Sequence, residues 1–446
     1  MAERPQEETL KNELLQKIEN RTARVGVVGL GYVGLPLAVE NARAGFTTTG
    51  IDISKEKTEK INRGENYIGD VDPAHLKQLV SDQKLSATTD FSEVKDLDFI
   101  MICVPTPLDI YQQPDISYIQ SSAESIGEHL RRGSVVILES TTYPGTTEEI
   151  LKPVLEEKSG LVCGDDFYLA FSPERVDPGN KDYKTNNTPK VVGGITQEAT
   201  EVTTALYKTV LDSEIYPVSS PAVAEMEKIL ENTYRFVNIG LANEMAIICN
   251  KMGINVWEVI DAAKTKPYGF HAFYPGPGIG GHCIPLDPFY LTWKAREYNY
   301  HTKLIETAGE VNNEMPEWVV TRASHVINND KKPLNGSKIL LLGVAYKKDI
   351  DDLRMSPALD ILRILEGYQA EVSYYDTLNP QFTAYDGTVR RTVPELSKEE
   401  LAKYDLAIII TNHSHVDYAY VAENVTRILD TRNALKDLDL DNIHRL

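Results

Sequence analysis

A glycine-rich turn placed directly after an apolar run constrains the fold of this chain more than any other feature. Residues 25–28 are followed at once by Gly29-Leu-Gly31-Tyr-Val-Gly34. This spacing is typical of a buried strand that turns into a helix, because the glycines let the backbone approach a pyrophosphate and the helix N-terminus favours its negative charge. The pattern alone also occurs by chance, so its surroundings decide its meaning.

An acidic residue stands at the distance from this glycine-rich turn at which a carboxylate can bind the ribose of a dinucleotide. Residues 47–53 have the composition of a second strand, and they contain Asp52, 21 residues after Gly31 (52 − 31). A carboxylate at this position accepts hydrogen bonds from the adenosine ribose hydroxyls and repels a 2′-phosphate. The sequence therefore predicts NAD rather than NADP as the cofactor.

Alternating strands and helices extend from this turn through the first half of the chain. The apolar runs that predict strands lie at residues 25–28, 47–53, 97–104, 134–138 and 167–171. The segments between them are long enough for crossover helices, which favours a doubly wound parallel sheet. Residues 222–251 then predict one long helix, and residues 5–20 a short amphipathic helix.

The same alternation returns near the C-terminus. Residues 339–344, 371–375 and 406–411 predict strands, and residues 356–368 predict a helix. We therefore expect an α/β protein with two Rossmann-like doubly wound domains joined by a long central helix. For 446 residues, about three domains are expected, with bounds at 1–216, 217–330 and 331–446.

Charge and cysteine content exclude several classes of function. The formal net charge of −20 argues against nucleic-acid and membrane partners, since both need a basic face. Cys103, Cys163, Cys249 and Cys283 show no metal-ligand spacing and are too sparse for a disulfide framework. No apolar stretch is long enough to span a membrane, and residues 1–20 are too polar for a signal peptide. We expect a soluble cytoplasmic protein without a metal.

One cysteine stands in an unusual glycine-rich segment, Gly278-Ile-Gly-Gly-His-Cys283-Ile-Pro285-Leu-Asp287. A buried, inert cysteine is the common alternative. The glycines before Cys283 and the proline after it argue against a core strand. A loop cysteine beside polar groups is the usual setting of a reactive thiol, so the pattern favours a functional role.

The predicted central helix carries Lys228 and Asn232 four residues apart, so both project from one face. This spacing fits a shared site. A solvated polar stripe has the same spacing, and the spacing alone slightly favours it. Both interpretations stay open from the residues themselves.

Taken together, these motifs resemble the UDP-glucose/GDP-mannose dehydrogenase family, and the resemblance covers nearly the whole chain. The ordered motifs that carry it are Gly29-Leu-Gly-Tyr-Val-Gly-Leu-Pro36, Val104-Pro-Thr-Pro107, Glu139-Ser-Thr141, Ser172-Pro-Glu174, Glu227-Lys-Ile-Leu-Glu-Asn-Thr-Tyr-Arg235, Gly278-Ile-Gly-Gly-His-Cys283 with Asp287, and Gly343-Val-Ala-Tyr-Lys-Lys-Asp349 with Arg354-Met-Ser-Pro357. The resemblance implies an N-terminal NAD-binding domain, a central helical region that forms a homodimer, and a C-terminal UDP-sugar-binding domain.

Within the family, the residues around Cys283 resemble the N-acetylhexosamine branch and most of all its UDP-N-acetylglucosamine 6-dehydrogenases. UDP-glucose enzymes usually have serine or proline in place of His282, and an arginine that residues 266–274 lack. The branch implies NAD-dependent, two-step oxidation of the 6-hydroxymethyl group to UDP-N-acetylglucosaminuronic acid. UDP-N-acetylmannosamine, UDP-N-acetylgalactosamine and UDP-glucose remain alternative substrates. A one-step hydroxyacid dehydrogenase and a dinucleotide-binding scaffold are the alternatives from other classes.

The resemblance also implies catalytic roles. Cys283 would form a thiohemiacetal and then a thioester, while Lys228 stabilises oxyanions and Asn232 orients them. Asp287 would bind the reacting water network, Glu174 would be the base for hydrolysis, and Thr141 would position the water. Without the resemblance, polar residues such as these more often cap helices or stabilise turns.

Binding residues follow from the same match. The cofactor-binding residues would be Gly29, Gly31, Tyr32, Val33, Gly34, Asp52, Thr106, Thr141 and Arg354. The substrate-binding residues would be Glu174, Arg175, Lys228, Asn232, His271, Tyr274, Gly280, His282, Tyr346 and Lys347. Arg354 could instead contact the UDP diphosphate, and Thr411, Asn412 and His413 could border the uridine.

Overall fold

The structure is a computed structural model, which describes residues 5–109, 113–177, 180 and 182–446. Two compact units make up the chain. The first comprises residues 1–231 and 293–299, and the second comprises residues 232–292 and 300–446. The three domain boundaries expected from the sequence stay a prediction.

An eight-stranded sheet forms the core of the first unit. Its strands are β1 (Arg24–Val28), β2 (Thr47–Ile51), β3 (Leu85–Thr88), β4 (Phe99–Ile102), β5 (Val135–Leu138), β6 (Tyr168–Phe171), β7 (Lys190–Gly194) and β8 (Ile215–Val218). Their order is β3-β2-β1-β4-β5-β6-β7-β8, and every neighbouring pair except β6 with β7 is parallel. The predicted doubly wound sheet is confirmed, although the sequence did not indicate β3, β7 or β8.

Helices cover both faces of this sheet. They are α1 (Pro5–Glu19), α2 (Gly34–Arg43), α3 (Lys55–Asn62), α4 (Pro73–Ser81), α5 (Ser117–Gly127), α6 (Lys152–Ser159) and α7 (Gln197–Val210), with a 3₁₀ turn at Phe91–Asp96 and a π turn at Thr147–Leu151. One apolar cluster joins α1, α2 and α7 to the sheet, and a second joins α5 and α6 to the opposite face. Leu14 and Ile18 are buried, which confirms the amphipathic helix predicted near the N-terminus.

A single helix of 32 residues, α8 (Pro221–Met252), begins in the first unit and continues in the second. Its first residue is a proline, which is favoured there because the first N–H groups of a helix have no intrahelical partner. The observed bounds confirm the long helix predicted over residues 222–251.

The second unit contains a smaller parallel sheet of five strands, with order β10-β9-β13-β14-β15. Its strands, together with a separate antiparallel hairpin of β11 and β12, are β9 (Lys338–Leu342), β10 (Glu371–Tyr375), β11 (Gln381–Thr383), β12 (Val389–Arg391), β13 (Leu406–Ile409), β14 (Ile428–Asp430) and β15 (Ile443–Arg445). This sheet confirms the second Rossmann-like domain.

The remaining helices are α9 (Val256–Ala263), α10 (Cys283–Ala295), α11 (Lys303–Asn328), α12 (Pro357–Gly367), α13 (Lys398–Leu401) and α14 (Tyr418–Asn424), with a 3₁₀ turn at Arg296–Tyr298. Side chains of α11 and α12 pack on one face of the five-stranded sheet. Side chains of α13 and α14 pack on the other face. This sheet is therefore also enclosed by helices on both sides, as parallel sheets normally are.

The two sheets share one local arrangement at the end of their first strand. Gly29 and Gly343 both have positive φ, +89° and +78°. In each case the next backbone N–H donates a hydrogen bond to an acid at the end of the neighbouring strand, Asp52 at 2.8 Å and Asp376 at 2.9 Å. The C-terminal domain thus repeats the turn geometry of the N-terminal domain.

Candidate active site

The glycine-rich turn leaves exposed backbone at the start of α2. A Cβ atom on Gly34 would lie 1.8 Å from the carbonyl oxygen of Gly29, so this crossing requires glycine. A Cβ atom on Gly31 would meet no atom within 4 Å, and the next side chain, Tyr32, is exposed. The open surface at Gly31 and the N-terminus of α2 fit a pyrophosphate, which needs close approach to the backbone.

The Asp52 carboxylate lies beside this turn at the end of β2. It is buried, and it accepts hydrogen bonds from the backbone N–H groups of Leu30 and Ser54, both at 2.8 Å. The Lys57 ammonium group is 3.3 Å from one of its oxygens. The structure therefore brings the predicted ribose-binding acid to the glycine turn. Its contact with the ribose stays a prediction.

Thr106 and Thr141 follow two neighbouring strands, β4 and β5. The Thr106 hydroxyl donates a hydrogen bond to the backbone carbonyl of Thr141 at 2.7 Å. The Ser140 hydroxyl likewise donates to the Val104 carbonyl at 2.8 Å. These contacts bring two predicted site residues together at the carboxyl ends of the strands, where doubly wound sheets bind their ligands.

Glu174 follows β6 in the same unit. One of its carboxylate oxygens accepts hydrogen bonds from the backbone N–H groups of Arg175 and Val176, at 2.7 and 2.8 Å. The Arg175 guanidinium forms an ion pair with Glu231 on α8 and donates to the Pro189 carbonyl at 3.0 Å. The described contacts of Arg175 hold this loop to α8. The role of Arg175 at the substrate stays a prediction.

Lys228 is buried on α8, with an exposed fraction of 7%. The alternative of a solvated polar stripe is therefore wrong for this residue. Glu227 directly precedes it in sequence, and Glu231 follows three residues later. Both acids have Arg175 as an ion-pair partner. Burial, together with the neighbouring Glu231 carboxyl group, raises the pKa of Glu227 to about 7. This acid pair was not predicted from the sequence, although its spacing of four residues was a usable signal.

The glycine-rich segment before Cys283 lies against the loop that follows β9. A Cβ atom on Gly280 would lie 2.6 Å from the Cβ of Tyr346 and 2.8 Å from the Met355 carbonyl oxygen. Gly281 has a φ of +94°, and its N–H donates to the Arg354 carbonyl at 2.9 Å. The glycines thus permit a close contact that brings three predicted binding residues, Gly280, Tyr346 and Arg354, to one place.

Cys283 is the first residue of α10, and its side chain is exposed. The prediction of a loop position is therefore wrong, because the irregular segment ends just before it. Pro285 is compatible with the first helical turn, where an N–H group is not needed. A helix N-terminus favours negative charge, so this position suits a nucleophilic thiol.

Asn232 on α8 and Asp287 on α10 form a side-chain hydrogen bond, with the amide of Asn232 as donor. Asp287 is 2% exposed and lies inside the helix, so the alternative that it is a turn residue is wrong. The two predicted catalytic residues therefore lie in direct contact, although 55 residues separate them.

His282, next to Cys283, is half-buried. Burial lowers its pKa, and the positive charge of Arg354 lowers it further. The imidazole is therefore neutral at pH 7, and one ring nitrogen can donate a hydrogen bond while the other accepts one. This property suits recognition of an amide group.

Two other predicted substrate residues lie against α8 and α9. A ring nitrogen of His271 is 2.8 Å from the Tyr234 hydroxyl. The Tyr274 hydroxyl donates to Asp261 at 2.6 Å, and its ring stacks on Trp257. Their contact with a substrate stays a prediction.

The loop after β9, which carries Lys347, is supported from inside the domain. The backbone N–H of Asp349 donates to Nδ1 of His413 at 3.0 Å, so Nε2 carries the proton and donates to Asp376 at 3.2 Å. Burial alone would raise the pKa of Asp376, but the hydrogen bonds that it accepts from His413 and from the backbone N–H groups of Val344 and Ala345 outweigh burial and hold the pKa at about 2. The His413 side chain is 1% exposed, and the expectation that Thr411, Asn412 and His413 border the uridine stays a prediction.

A doubly wound sheet that presents a pyrophosphate turn is the architecture of a dinucleotide-binding protein. Comparison with known proteins makes the class specific. The UDP-glucose/GDP-mannose dehydrogenase family matches this chain with its NAD-binding domain at residues 23–211, its central domain at 222–314 and its UDP-binding domain at 340–437. The chain belongs to this family and uses NAD.

Relatives in the family act on different sugars. A UDP-N-acetyl-D-glucosamine 6-dehydrogenase of Pseudomonas aeruginosa is 38% identical over 93% of this chain and 96% of its own length. A UDP-N-acetyl-D-mannosamine dehydrogenase of Escherichia coli K12 is 36% identical over 88% and 94%. The structure of a UDP-D-ManNAc dehydrogenase from Pyrococcus horikoshii superposes with a TM-score of 0.86, at 33% identity over 95% and 98%. These relatives thus establish the family, but they do not determine which UDP-sugar is the substrate of this chain.

Within the described ranges, no helix has the length and apolar character required to cross a membrane. The same residues contain no cluster of three or more His, Cys, Asp or Glu side chains suited to a metal ion. The expectations about nucleic acid, membrane, metal and cytoplasmic location stay predictions.

Proposed function

We propose that this chain oxidises the 6-hydroxymethyl group of UDP-N-acetyl-D-glucosamine to the carboxylate in two NAD-dependent steps. The observation that carries the proposal is Cys283, an exposed thiol at the start of α10 in a chain with an NAD-binding domain. A single oxidation of an alcohol needs no thiol. Retention of the aldehyde between two oxidations is a task for which a nucleophilic cysteine is suited.

The chemistry on Cys283 follows from this task. Bound at the glycine turn, NAD would accept one hydride in each oxidation. The Cys283 thiolate adds to the aldehyde formed first and gives a thiohemiacetal, whose oxidation leaves a thioester. Water then attacks the thioester carbonyl, the carbon–sulfur bond breaks, and the acid and the thiolate are released. Each sugar therefore yields two NADH and consumes one water.

Four polar residues assist these steps. The buried ammonium group of Lys228 stabilises the oxyanions that form at carbon 6. The hydrogen-bonded pair of Asn232 and Asp287 orients the reacting oxygen and its water network. Glu174, anchored by two backbone N–H groups, accepts the proton of the hydrolytic water.

The choice of N-acetylglucosamine rests on the segment around Cys283. His282 is neutral and half-buried, so its ring can exchange hydrogen bonds with a 2-acetamido group. The relatives named above include enzymes for the glucosamine and mannosamine sugars. UDP-N-acetylmannosamine is therefore the strongest alternative substrate, and UDP-N-acetylgalactosamine and UDP-glucose follow.

A panel of UDP-sugars tests the substrate directly. We expect the highest kcat/KM for UDP-N-acetylglucosamine, with two NADH formed per sugar. UDP-glucose should be slower by roughly ten- to hundredfold, because polar groups built for the acetamido group are left unpaired at a cost of about 1–3 kcal/mol. Stopped assays that count NADH and uronic acid give both quantities.

Each outcome of the panel has a distinct meaning. A higher kcat/KM for UDP-glucose would contradict the N-acetylhexosamine branch. A higher value for the manno or galacto epimer would contradict only the choice of sugar. One NADH per sugar, with no acid formed, would favour a one-step dehydrogenase.

We also propose that the chain forms a homodimer through its central helices. A groove of about 660 Å³ lies on the second unit, and it is lined mostly by apolar side chains of α8 and α9 and by residues 269–271 and 273. Leu241 is 56% exposed and Val259 is 40% exposed on this surface. Exposed apolar patches of this kind mark interaction sites, and a second copy can cover the patch symmetrically.

The substitution Leu241→Glu should dissociate the dimer. A carboxylate buried in an apolar interface is costly, so we expect the dissociation constant to rise at least about tenfold. Sedimentation velocity over a concentration series measures it. Val389→Glu is the control, because Val389 is equally exposed at 56% but does not line the groove. A monomeric wild-type protein at all concentrations would contradict the proposal.

A further inference from the structure

A buried lysine, Lys190, stands at the start of β7, a strand that was not predicted from the sequence. Lys190 is 3% exposed, and its ammonium group lies 2.5 Å from a carboxylate oxygen of Glu139, which is 1% exposed. The other Glu139 oxygen accepts a hydrogen bond from the buried Tyr207 hydroxyl. The Lys190 ammonium group also lies over the Tyr207 ring, 5.1 Å from its centre. The pair is therefore enclosed within the first unit.

The same ammonium group is bonded to the backbone just before Glu174. It donates to the Pro173 carbonyl at 3.0 Å and more weakly to the Ser172 carbonyl at 3.5 Å. With Glu139, these acceptors account for its three N–H groups. Burial alone would lower the pKa of Lys190, but the charges of Glu139 and Glu174 outweigh burial and raise it. The group therefore stays charged at neutral pH.

These contacts connect the two segments that carry the predicted hydrolytic residues. Glu139 follows β5 and precedes Thr141 by two residues, while Ser172 and Pro173 follow β6 and lead directly to Glu174. One buried cation thus joins both strand ends. A buried ion pair is often no more stabilising than apolar residues of the same volume, so stability alone does not account for this one.

We propose that Lys190 is a positioning residue for hydrolysis of the thioester, because it fixes Glu174 relative to Thr141. This inference rests on the function proposed above. In the step concerned, the water oxygen bonds to the thioester carbonyl carbon and its proton passes to Glu174. The carbon–sulfur bond then breaks, and its electron pair leaves with the Cys283 thiolate. Lys190 touches none of the reacting atoms and acts through the backbone before Glu174.

The substitution Lys190→Met tests this role, since methionine fills a similar volume without donors. We expect hydrolysis to become rate-limiting and kcat to fall at least about tenfold, because displacement of a catalytic group by a fraction of an ångström slows the step that it assists. The first turnover should release two NADH per active site as a rapid burst. Mass spectrometry of quenched reactions should then show the sugar thioester accumulated on Cys283. Lys190→Arg should recover much of the lost rate, because it keeps a buried donor.

Two further variants separate positioning from stability. Glu139→Gln combined with Lys190→Met removes both buried charges, so no unpaired carboxylate remains, and slow hydrolysis should persist. Asp98→Asn breaks the ion pairs of a buried acid at the amino end of β4. This control should lower the melting temperature without accumulation of the thioester. If Lys190 had only a structural role, the amplitude of the NADH burst and kcat of the Lys190→Met variant would instead fall by the same factor.

The outcomes distinguish the two proposals. If the wild type forms the thioester but Lys190→Met does not accumulate it, the role of Lys190 is wrong and the proposed function stands. If a deuterium isotope effect at carbon 6 appears on kcat of the variant, hydride transfer has become limiting and the role is also wrong. If the wild type yields one NADH per sugar and no adduct, the proposed function fails, and the role of Lys190 with it.

Discussion

Replacing Cys283 by alanine should abolish formation of the uronic acid while UDP-sugar and NAD still bind. The variant has no nucleophile to hold the aldehyde, so we expect acid formation to fall at least about a thousandfold, as for other enzymes that lose their nucleophile. Mass spectrometry of quenched wild-type reactions should show a thioester adduct on the peptide that contains Cys283. Calorimetric titration with both ligands checks that binding is retained.

Cys163 provides the matched control. Its side chain is partly buried, and burial raises the pKa of its thiol to about 12, so it is not a thiolate at neutral pH. Cys163→Ala should therefore form acid at the wild-type rate and carry the same adduct. Acid formation by Cys283→Ala at the wild-type rate would remove the covalent step from the proposed function.

The substitution Gly31→Ala should leave the fold intact and weaken NAD binding at least about a hundredfold. The added methyl group meets no protein atom within 4 Å, so the free protein has no reason to lose stability. It would occupy the space through which a pyrophosphate approaches the backbone, at a cost of roughly 3 kcal/mol. Fluorescence titration with NADH gives the affinity, and thermal unfolding gives the stability.

Two other glycines serve as controls for this prediction. Gly69 also has open space around its Cβ position, so Gly69→Ala should leave both stability and NAD affinity unchanged. Gly34→Ala should unfold the turn, because its Cβ atom would lie 1.8 Å from a backbone oxygen. Unchanged NAD affinity in Gly31→Ala would show that the cofactor does not approach this face of the turn.

Features that depend on local sequence could be predicted well. The strand predicted at residues 371–375 is β10 with the same bounds, and the helix predicted at 222–251 is α8 to within one residue at each end. Both are specified by side chains close together in the chain, through uninterrupted helical or alternating patterns. The glycine turn and Asp52 belong to the same group, because their spacing is a property of one strand–helix–strand unit.

Features that depend on distant partners could not be predicted. β7 begins with a lysine and ends with two glycines, residues that disfavour a strand, and it forms because β6 and β8 pair with it. The start of α10 at Cys283 was also missed, because its prolines and the glycines before it resemble a loop. The contacts of Lys190 with Glu139 and of Asn232 with Asp287 join residues more than 50 positions apart.

The four cysteines differ in burial, and this difference decides how the protein responds to an oxidant. Burial raises the pKa of Cys103 and Cys163, and Cys249 is enclosed by apolar side chains. Cys283 is the exposed one, at a helix end that favours negative charge. Peroxide and alkylating reagents therefore meet this thiol first. Among the cysteines, oxidative damage thus begins at the residue on which the proposed chemistry depends.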